Sequence, residues 1–426
     1  MKYDKLGNLC LVKGGKRLPK GKALLDYKTE HPYLRITDYA SGNIDLKNLK
    51  YISNDVFDSI SKYTINKKDI FLSIVGTIGI VDIIDEKLDG ASLTENAVKI
   101  IVKDRTKIDV NYLAYYLKST MGQYEIDIRT VGSTQKKLAI TRIKDIPVPV
   151  IEINKQRKIA SVLSSLDSKI KLNNQIISNL EELSSTLFKR WFVDFEFPDK
   201  NGNPYKSSSG KMVDSELGEI PEGWKVNKIG NMDIVVSDHV ANGSFKSLKE
   251  NVKILEDKSY ALFLRNVDLK AELRGTLRYI DKASYDFLKK THLFGGEVII
   301  SNVGDVGTVH LVPKNDKKMV LGNNQIYLNS NIENMNTYLY LFFKSVKGQE
   351  LIKSITSGSV QMKFNKTDFR NLKIVFPLLD NFNIFSGLLA NIRVKKNENN
   401  ILRDTRDSLL PKLLSGEIEL PEDEEV

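Results

Sequence analysis

The chain has a single cysteine, Cys10, in 426 residues, which excludes an internal disulfide framework and fits a reducing cytoplasm. Its four histidines, His31, His239, His292 and His310, are scattered with no H-E-x-x-H motif and no Cys/His pairing, so no metal site is indicated. No apolar run approaches the ~18 to 20 residues of a membrane span, and the opening MKYDKLGN is not a signal peptide. The loop GGKRLPKGKA is not a phosphate-binding P-loop: five residues instead of four separate Gly15 from Gly21, and Ala23 stands where Ser or Thr would meet the metal. There is no Asn-Pro-Pro-aromatic or Asp-Pro-Pro-aromatic loop, no nucleophile elbow, and no pair of carboxylates placed for acid/base work. Read from its residues, the chain is non-catalytic.

What is present is a soluble globular composition, 41% hydrophobic and 28% charged, with a net charge of +10 that modestly favours an anionic partner. The clearest pattern runs from Lys155 to Trp191. Ile159, Leu163, Leu166, Ile170, Asn173, Ile177, Leu180, Ser184, Leu187 and Trp191 fall at alternating steps of four and three, a coiled-coil seam on one long helix. Val162, Ile176 and Leu183 are expected to widen the stripe.

The partner for that seam lies in the same chain. At a fixed offset of 226 residues, Ile159 matches Phe385, Leu163 matches Leu389, Leu166 matches Ile392, Asn173 matches Asn399 and Leu187 matches Leu413. Leu402 and Leu409 complete the expected second core, which is less regular because Arg403 and Arg406 replace Ile177 and Leu180 and Pro411 limits its last turn. Two such helices packed antiparallel bring the Asn pairs together at the centre, where they fix register; the other reading leaves these Asn exposed.

The duplication extends upstream. YLRITD at 33–38 echoes FLRNVD at 263–268, IVGTIGIV echoes NVGDVGTV, YLAYYLKS echoes YLYLFFKS and GSTQKKL echoes GSVQMKF. Each half alternates β-rich runs with turns, and VNYLAYYLKSTMGQYEI reads as one helix. IPVPV delivers the chain into the long helix, its prolines ending the preceding structure. The glycines of GTIG and GDVG read as tight strand-to-strand turns. The fold class is therefore a two-fold α/β (α+β) pseudo-repeat: two mixed domains at 1–151 and 222–378, long helices at 152–196 and 379–418 packed as an antiparallel coiled coil, a flexible polar connector at 197–221 and an acidic tail at 419–426.

Donors cluster on turns. One set comprises Lys16, Arg17 and Lys20 with Ser133, Thr134, Gln135 and Lys136; the other comprises Asn323, Asn324 and Gln325 with Ser359, Gln361 and Lys363. Lys and Arg suit phosphates, and Gln and Asn can read adenine edges bidentately. Any one loop could be plain solvated surface, but both halves keep a polar, basic loop at the same place, which favours nucleic acid. Arg35 and Arg265, beside Asp38 and Asp268, are open to two readings, a structural ion pair or a base contact.

The whole chain resembles the specificity subunit of Type I restriction-modification systems. IPVPV leading into the first helix, LGEIPEGW opening the second half and LLPKLLSGEIEL near the end carry the resemblance. It implies two domains that read the halves of a split, asymmetric site in double-stranded DNA, with the paired helices as a ruler. It also implies a subunit without an active site that docks methyltransferase and restriction subunits, on which S-adenosylmethionine, ATP and Mg2+ would be bound. A helix of ~36 residues at ~1.5 Å per residue spans roughly 50 Å, about one and a half turns of duplex at ~34 Å per turn. Two other readings compete: a diverged DNA methyltransferase or nuclease, and a coiled-coil scaffold protein.

Overall fold

A computed structural model of the chain describes residues 2–40, 43–46, 48–133, 135–377 and 382–420. The chain divides into two compact units, Met1–Asn174 with Lys396–Val426, and Gln175–Lys395. Both boundaries fall inside long helices, α1 at Ile153–Phe188 and α2 at Asn383–Ser415, so each helix gives one half to each unit.

In the first unit, AVKIIV at Ala97–Val102 has the β-branched composition of a buried strand and occupies a central place. It pairs antiparallel with Cys10–Gly14 on one side and Ile70–Ser73 on the other, and Val81–Ile83 closes the sheet. A second four-stranded sheet runs Lys50–Ile52, His31–Leu34, Ala91–Leu93, Thr64–Ile65, its middle pair parallel. The expectation that IPVPV merely ends the preceding structure is corrected: Pro147–Val150 is itself a strand, paired with Lys2–Lys5. Prolines fit there because a two-stranded ladder has only edges.

The second unit repeats this plan. Its four-stranded sheet runs Val235–Asp238, Gln325–Asn329, Val298–Ser301, Val309–Leu311, and Lys225–Lys228 pairs with Lys373–Phe376. Its other sheet gains a strand: Ile254–Leu255, Tyr279–Ile280, Ala261–Leu264, Met319–Leu321, His292–Leu293. Equivalent tyrosines tie helix to strand in both units, Tyr112 donating to the Pro149 carbonyl (3.2 Å) and Tyr338 to that of Val375 (2.6 Å).

The single helix expected from VNYLAYYLKSTMGQYEI is two, Val110–Lys118 and Thr120–Arg129. Ser119 is extended, and its Oγ accepts from the Gly122 amide at 3.1 Å and donates to the Tyr116 carbonyl at 2.7 Å. Ser345 does the same with Gly348 and Phe342. An N-cap inside an apolar pattern breaks the helix without disturbing its periodicity. The bend brings each glycine onto backbone: a Cβ at Gly122 would lie 2.1 Å from the Tyr116 carbonyl oxygen, and one at Gly348 2.0 Å from that of Phe342.

Within the first unit, Ile159, Ala160 and Leu163 of α1 share a core with Leu410, Leu413 and Leu414 of α2, while further along Asn173 meets Asn399. Rising numbers on one helix meet falling numbers on the other, so the pair is antiparallel. Within the second unit, Phe188 and Leu187 share a core with Phe385 and Leu389. Of the seam residues, Ile170, Ile177 and Ile392 are also buried, and Leu166, Leu180, Leu402 and Leu409 are half-buried. One expectation fails. Leu183 is 45% exposed while Ser184 beside it is buried, so the stripe is narrower there. Pro411 lies inside α2, which continues to Ser415; the buried Leu410, Leu413 and Leu414 carry the helix past the hydrogen bond that proline cannot donate.

The stretch expected as a flexible connector is packed. Phe197 stacks between Tyr205 (4.5 Å between ring centres) and Trp224 (5.1 Å), and Phe195, Ile220 and Trp224 bury against Val375. Met212–Val213 pairs with Ile220–Pro221. Its polar composition conceals two aromatics, Phe197 and Tyr205, which meet Phe195 and Trp224 from just outside it only in three dimensions. Residues 421–426 of the expected acidic tail lie outside the described residues. No helix among the described residues is long and apolar enough to cross a membrane.

The two kinds of glycine predict opposite outcomes. Gly122→Ala forces a Cβ into backbone and is expected to destabilise by ~1–3 kcal/mol. Gly387→Ala, within α2 and with nothing within 4 Å of the added carbon, is expected to stabilise by roughly 0.5–1 kcal/mol. Denaturant midpoints of the two variants check both signs.

Candidate nucleic-acid interface

In the first unit, strand Cys10–Gly14 ends beside the start of Ala97–Val102 and the end of Ile70–Ser73, with Gly14 opposite Val98 and Ala97 opposite Ser73. The connections at 15–30, 94–96 and 74–80 therefore leave the sheet at one end. The basic loop is threaded across that end: the Gly15 amide donates to the Ala97 carbonyl (3.1 Å) and the Lys16 amide to that of Leu93 (2.8 Å). A Cβ at Gly15 would stand 2.0 Å from the Thr94 carbonyl oxygen, so only glycine passes.

Tyr33 anchors the loop by donating to the Lys16 carbonyl at 2.7 Å, and burial pushes its phenol up to about 12, which keeps it a donor. Arg17 is exposed and its Nε donates to Glu95 at 2.8 Å. Burial works to raise the Glu95 carboxyl, but the hydrogen bond from Arg17 and its charge hold it below its ordinary value. Lys16 and Lys20 are exposed on the same loop.

The polar loop packs against the same end. Val131 and Lys137 exchange backbone hydrogen bonds (3.0 and 2.8 Å), Lys137 also pairs with Val75, and the Leu138 amide donates to the Ile74 carbonyl (3.0 Å). Gly132, at φ +113°, makes the turn, and a Cβ there would lie 2.4 Å from the Gln135 carbonyl oxygen. Ser133, Gln135 and Lys136 project as an exposed tip beside the Gly76–Gly79 turn; Thr134 lies outside the described residues. Gln123 fastens that turn by donating to the Gly79 carbonyl (2.9 Å).

The second unit builds the same rim with other side chains. Ser357 and Lys363 exchange backbone hydrogen bonds (2.9 Å each), the Gly304 amide donates to the Met362 carbonyl (3.1 Å), and Gly358 turns at φ +117°. Gln349 donates to the Gly307 carbonyl at 2.9 Å, as Gln123 does to Gly79. Ser359, Gln361 and Lys363 are exposed, and so are Asn323 and Asn324, which lead into strand Gln325–Asn329. Gln325 does not join them. It is buried, donates through Nε2 to the Leu264 carbonyl, and its Oε1 has no hydrogen-bond partner among the described residues. It opens a strand whose first four residues are all buried, so it lies behind the rim.

Two rim residues, Glu95 and Asp238, escaped sequence reasoning. Glu95 occupies the turn equivalent to that of Asn323, and Asp238 forms an ion pair with Lys366 at 2.9 Å where the first unit has Gly14 and Ile140. Matching strand ends between the halves locates both. The Arg35 and Arg265 ambiguity resolves as ion pairs: Asp38 and Asp268 are buried, accept from the arginines' own backbone amides (2.7 and 2.9 Å) and bind their guanidinium groups (2.5 and 2.6 Å). Among the described residues no group of three or more His, Cys, Asp or Glu could hold a metal ion. Burial pushes the Cys10 thiol up to about 12, which suppresses the reactive thiolate.

Comparison with known proteins gives a consistent set of likenesses. A family model described as the Type I restriction modification DNA specificity domain matches residues 1–182 and again 221–403. The Type I restriction enzyme MjaIX specificity subunit of Methanocaldococcus jannaschii is 27% identical over 425 residues, spanning 92% of this chain and 90% of that protein. The HindI specificity subunit of Haemophilus influenzae is 22% identical, over 72% and 76% of the two chains. The crystal structure of a Type I restriction-modification S subunit from M. genitalium superposes with a TM-score of 0.56 at 17% identity, covering 97% of this chain and 95% of that one.

One rim histidine makes stability depend on pH. His239 follows Asp238, hydrogen-bonds the Leu321 carbonyl through Nδ1 (3.3 Å) and meets the edge of Phe263. Burial holds its imidazolium pKa below the ordinary value. The unfolded chain then binds this proton before the folded one, so stability falls as pH drops below ~6.5. His239→Gln is expected to flatten that part of the profile, checked by unfolding at pH 7.5 and 5.5.

Proposed function

The chain belongs to the Type I restriction modification DNA specificity domain family, and from that premise we infer that it is the sequence-specificity subunit of such a complex, reading a bipartite, asymmetric DNA site. The observation that carries this reading is the repeated rim. Both units fasten a polar loop and a glycine turn to the same end of the same sheet, yet fill them with different side chains. A common scaffold with unlike tips is what two unlike half-sites require.

Lys16, Lys20, Lys136 and Lys363 are assigned to phosphates, where a flexible ammonium supplies affinity without sequence information. Ser133, Gln135, Asn323, Asn324, Ser359 and Gln361 are assigned to base edges. Arg17 is assigned to phosphate with its geometry set by Glu95. Gln325 is withdrawn from the readers because it is buried.

The chemistry in this reading belongs to partners. Methyltransferase subunits would carry S-adenosylmethionine, and restriction subunits would carry ATP and Mg2+, while this chain has no active site of its own. Positions near Glu181, Glu182 and Lys189 on and just past α1, the first half-buried and the other two exposed, are the proposed dock, and the proposed setting is the cytoplasm. The two long helices would act as the ruler between half-sites, so deleting one heptad from each is expected to shorten the preferred spacer. An unchanged spacer rejects that role.

The direct test is mapping of methylated adenines in cells carrying this chain with a cognate methyltransferase subunit, against cells lacking it. A split motif dependent on the chain supports the reading. Assembly without new methylation defeats it and favours the scaffold alternative. Once the motif is known, Gln135→Ala is expected to relax discrimination at one base pair by ~1–3 kcal/mol. Lys136→Ala is expected to weaken all sequences alike and to reduce the salt slope by about one. Competition binding at several salt concentrations separates the two.

A further inference from the structure

The rims differ in one respect that donors and charges do not describe. At the tip of the second unit's loop stands Val360, 100% exposed, between the exposed polar Ser359 and Gln361. The tip is held from both sides: Ser357 and Lys363 close it, and the Gly304–Met362 hydrogen bond fixes it to the turn after strand Val298–Ser301. Other apolar side chains are exposed on the same loops, Met362 beside it and Val240 and the 83% exposed Phe245 on the connection that leaves strand Val235–Asp238. The corresponding connection of the first unit carries Lys16, Arg17 and Lys20 beside the 65% exposed Tyr27, and Val131 on its polar loop is 43% exposed, so what sets the second rim apart among the described residues is an apolar side chain fully exposed at the loop tip.

A fully exposed isopropyl group gains nothing from the chain that holds it. It can neither attract a phosphate nor bond a base edge. What it can do is bury apolar surface in the partner, and it does so cheaply, because a β-branched side chain has one stiff torsion and little rotamer freedom to lose. The one apolar group that the base edges present in the major groove is the 5-methyl of thymine. We propose that Val360 is a specificity residue that packs on a thymine methyl group, so that the second half-site contains an A·T pair beneath this loop. The inference rests on the reading that the second unit's rim faces DNA. Ser359 and Gln361 then bracket the same base step with hydrogen bonds, and the apolar contact supplies the orientation that tells T·A from A·T.

The test uses the complex assembled with its methyltransferase subunit and the site found by methylation mapping. Each thymine of the second half-site, on either strand, is replaced singly by deoxyuridine, which removes only the methyl group, and affinities are compared for the native complex and Val360→Ala. The expected result is one position at which deoxyuridine weakens the native complex about fourfold, the value of one buried methylene-sized group, and leaves Val360→Ala unchanged. Insensitivity at every position overturns the proposal, as does a half-site made only of G·C pairs. A loss that persists in Val360→Ala also overturns it. Equal weakening of Val360→Ala on thymine and deoxyuridine duplexes replaces it with a wedge between base steps. A native complex that does not prefer its mapped site over a scrambled duplex fails the DNA-reading premise itself, an outcome distinct from a specific complex that ignores the methyl groups.

Discussion

Neither half of this protein can close its core without both long helices. Leu410, Leu413 and Leu414 reach the first unit from α2, some 250 residues downstream of Ile159 and Leu163, which they join in one cluster with the sheet residues Ile100 and Val148. In the second unit Phe188 arrives from α1 to lie among Tyr338, Phe385 and Phe192, ring against ring at 5.0 to 6.2 Å. Each such side chain contributes ~1.5–3 kcal/mol when taken from water. The placement of both rims follows from this dependence, because the strands that end at each rim pack on the cores that the helices complete.

The centre of the helix pair is built from amides. Asn173 donates to Asn399 at 3.0 Å, Asn399 donates to Asn174 at 2.8 Å, and Arg406 binds Asp167 at 2.6 Å. Asn173 and Asn399 are equivalent residues of the duplication, so the internal repeat of the chain is realised as a direct contact between a residue and its own copy. The Oδ1 of Asn173 is buried without a hydrogen-bond partner among the described residues, which makes this junction less stable than an apolar one of the same shape. Its return is specificity of pairing: sliding either helix by one turn would part the amides and bury them against leucine and isoleucine.

At the rims the constraint is backbone clearance. Gly15, Gly132 and Gly358 occupy positions where an added carbon would sit within 2.4 Å of a carbonyl oxygen, so the chain can cross the sheet end and reverse within a few residues. With the path held by glycine and by backbone hydrogen bonds, the side chains at the tips are left without structural duties. Both units place a glutamine and a lysine on the polar loop, while the first unit adds Lys16, Arg17 and Lys20 and the second adds Asn323, Asn324 and the bare Val360. The side-chain differences between the two rims fall on exposed tip residues, while the repeated Gln123 and Gln349 brace the turns behind them.

The duplication, the heptad seam and the paired polar loops are all legible in one dimension, because each is a periodic pattern whose spacing follows from helix or strand geometry. The sequence by itself determined that there are two similar units, two long helices and two sets of turn-borne donors. It did not disclose that Ser119 and Ser345 divide helices whose apolar periodicity runs on, or that Phe197, Tyr205 and Trp224 convert a polar stretch into a packed one. It also placed Gln325 among the exposed donors, when it opens a strand whose first four residues are all buried. Only the tertiary structure decided these points. Each depends on what lies across from a residue, on another strand or helix, and burial is a property of that meeting and not of the residue's neighbours in the chain.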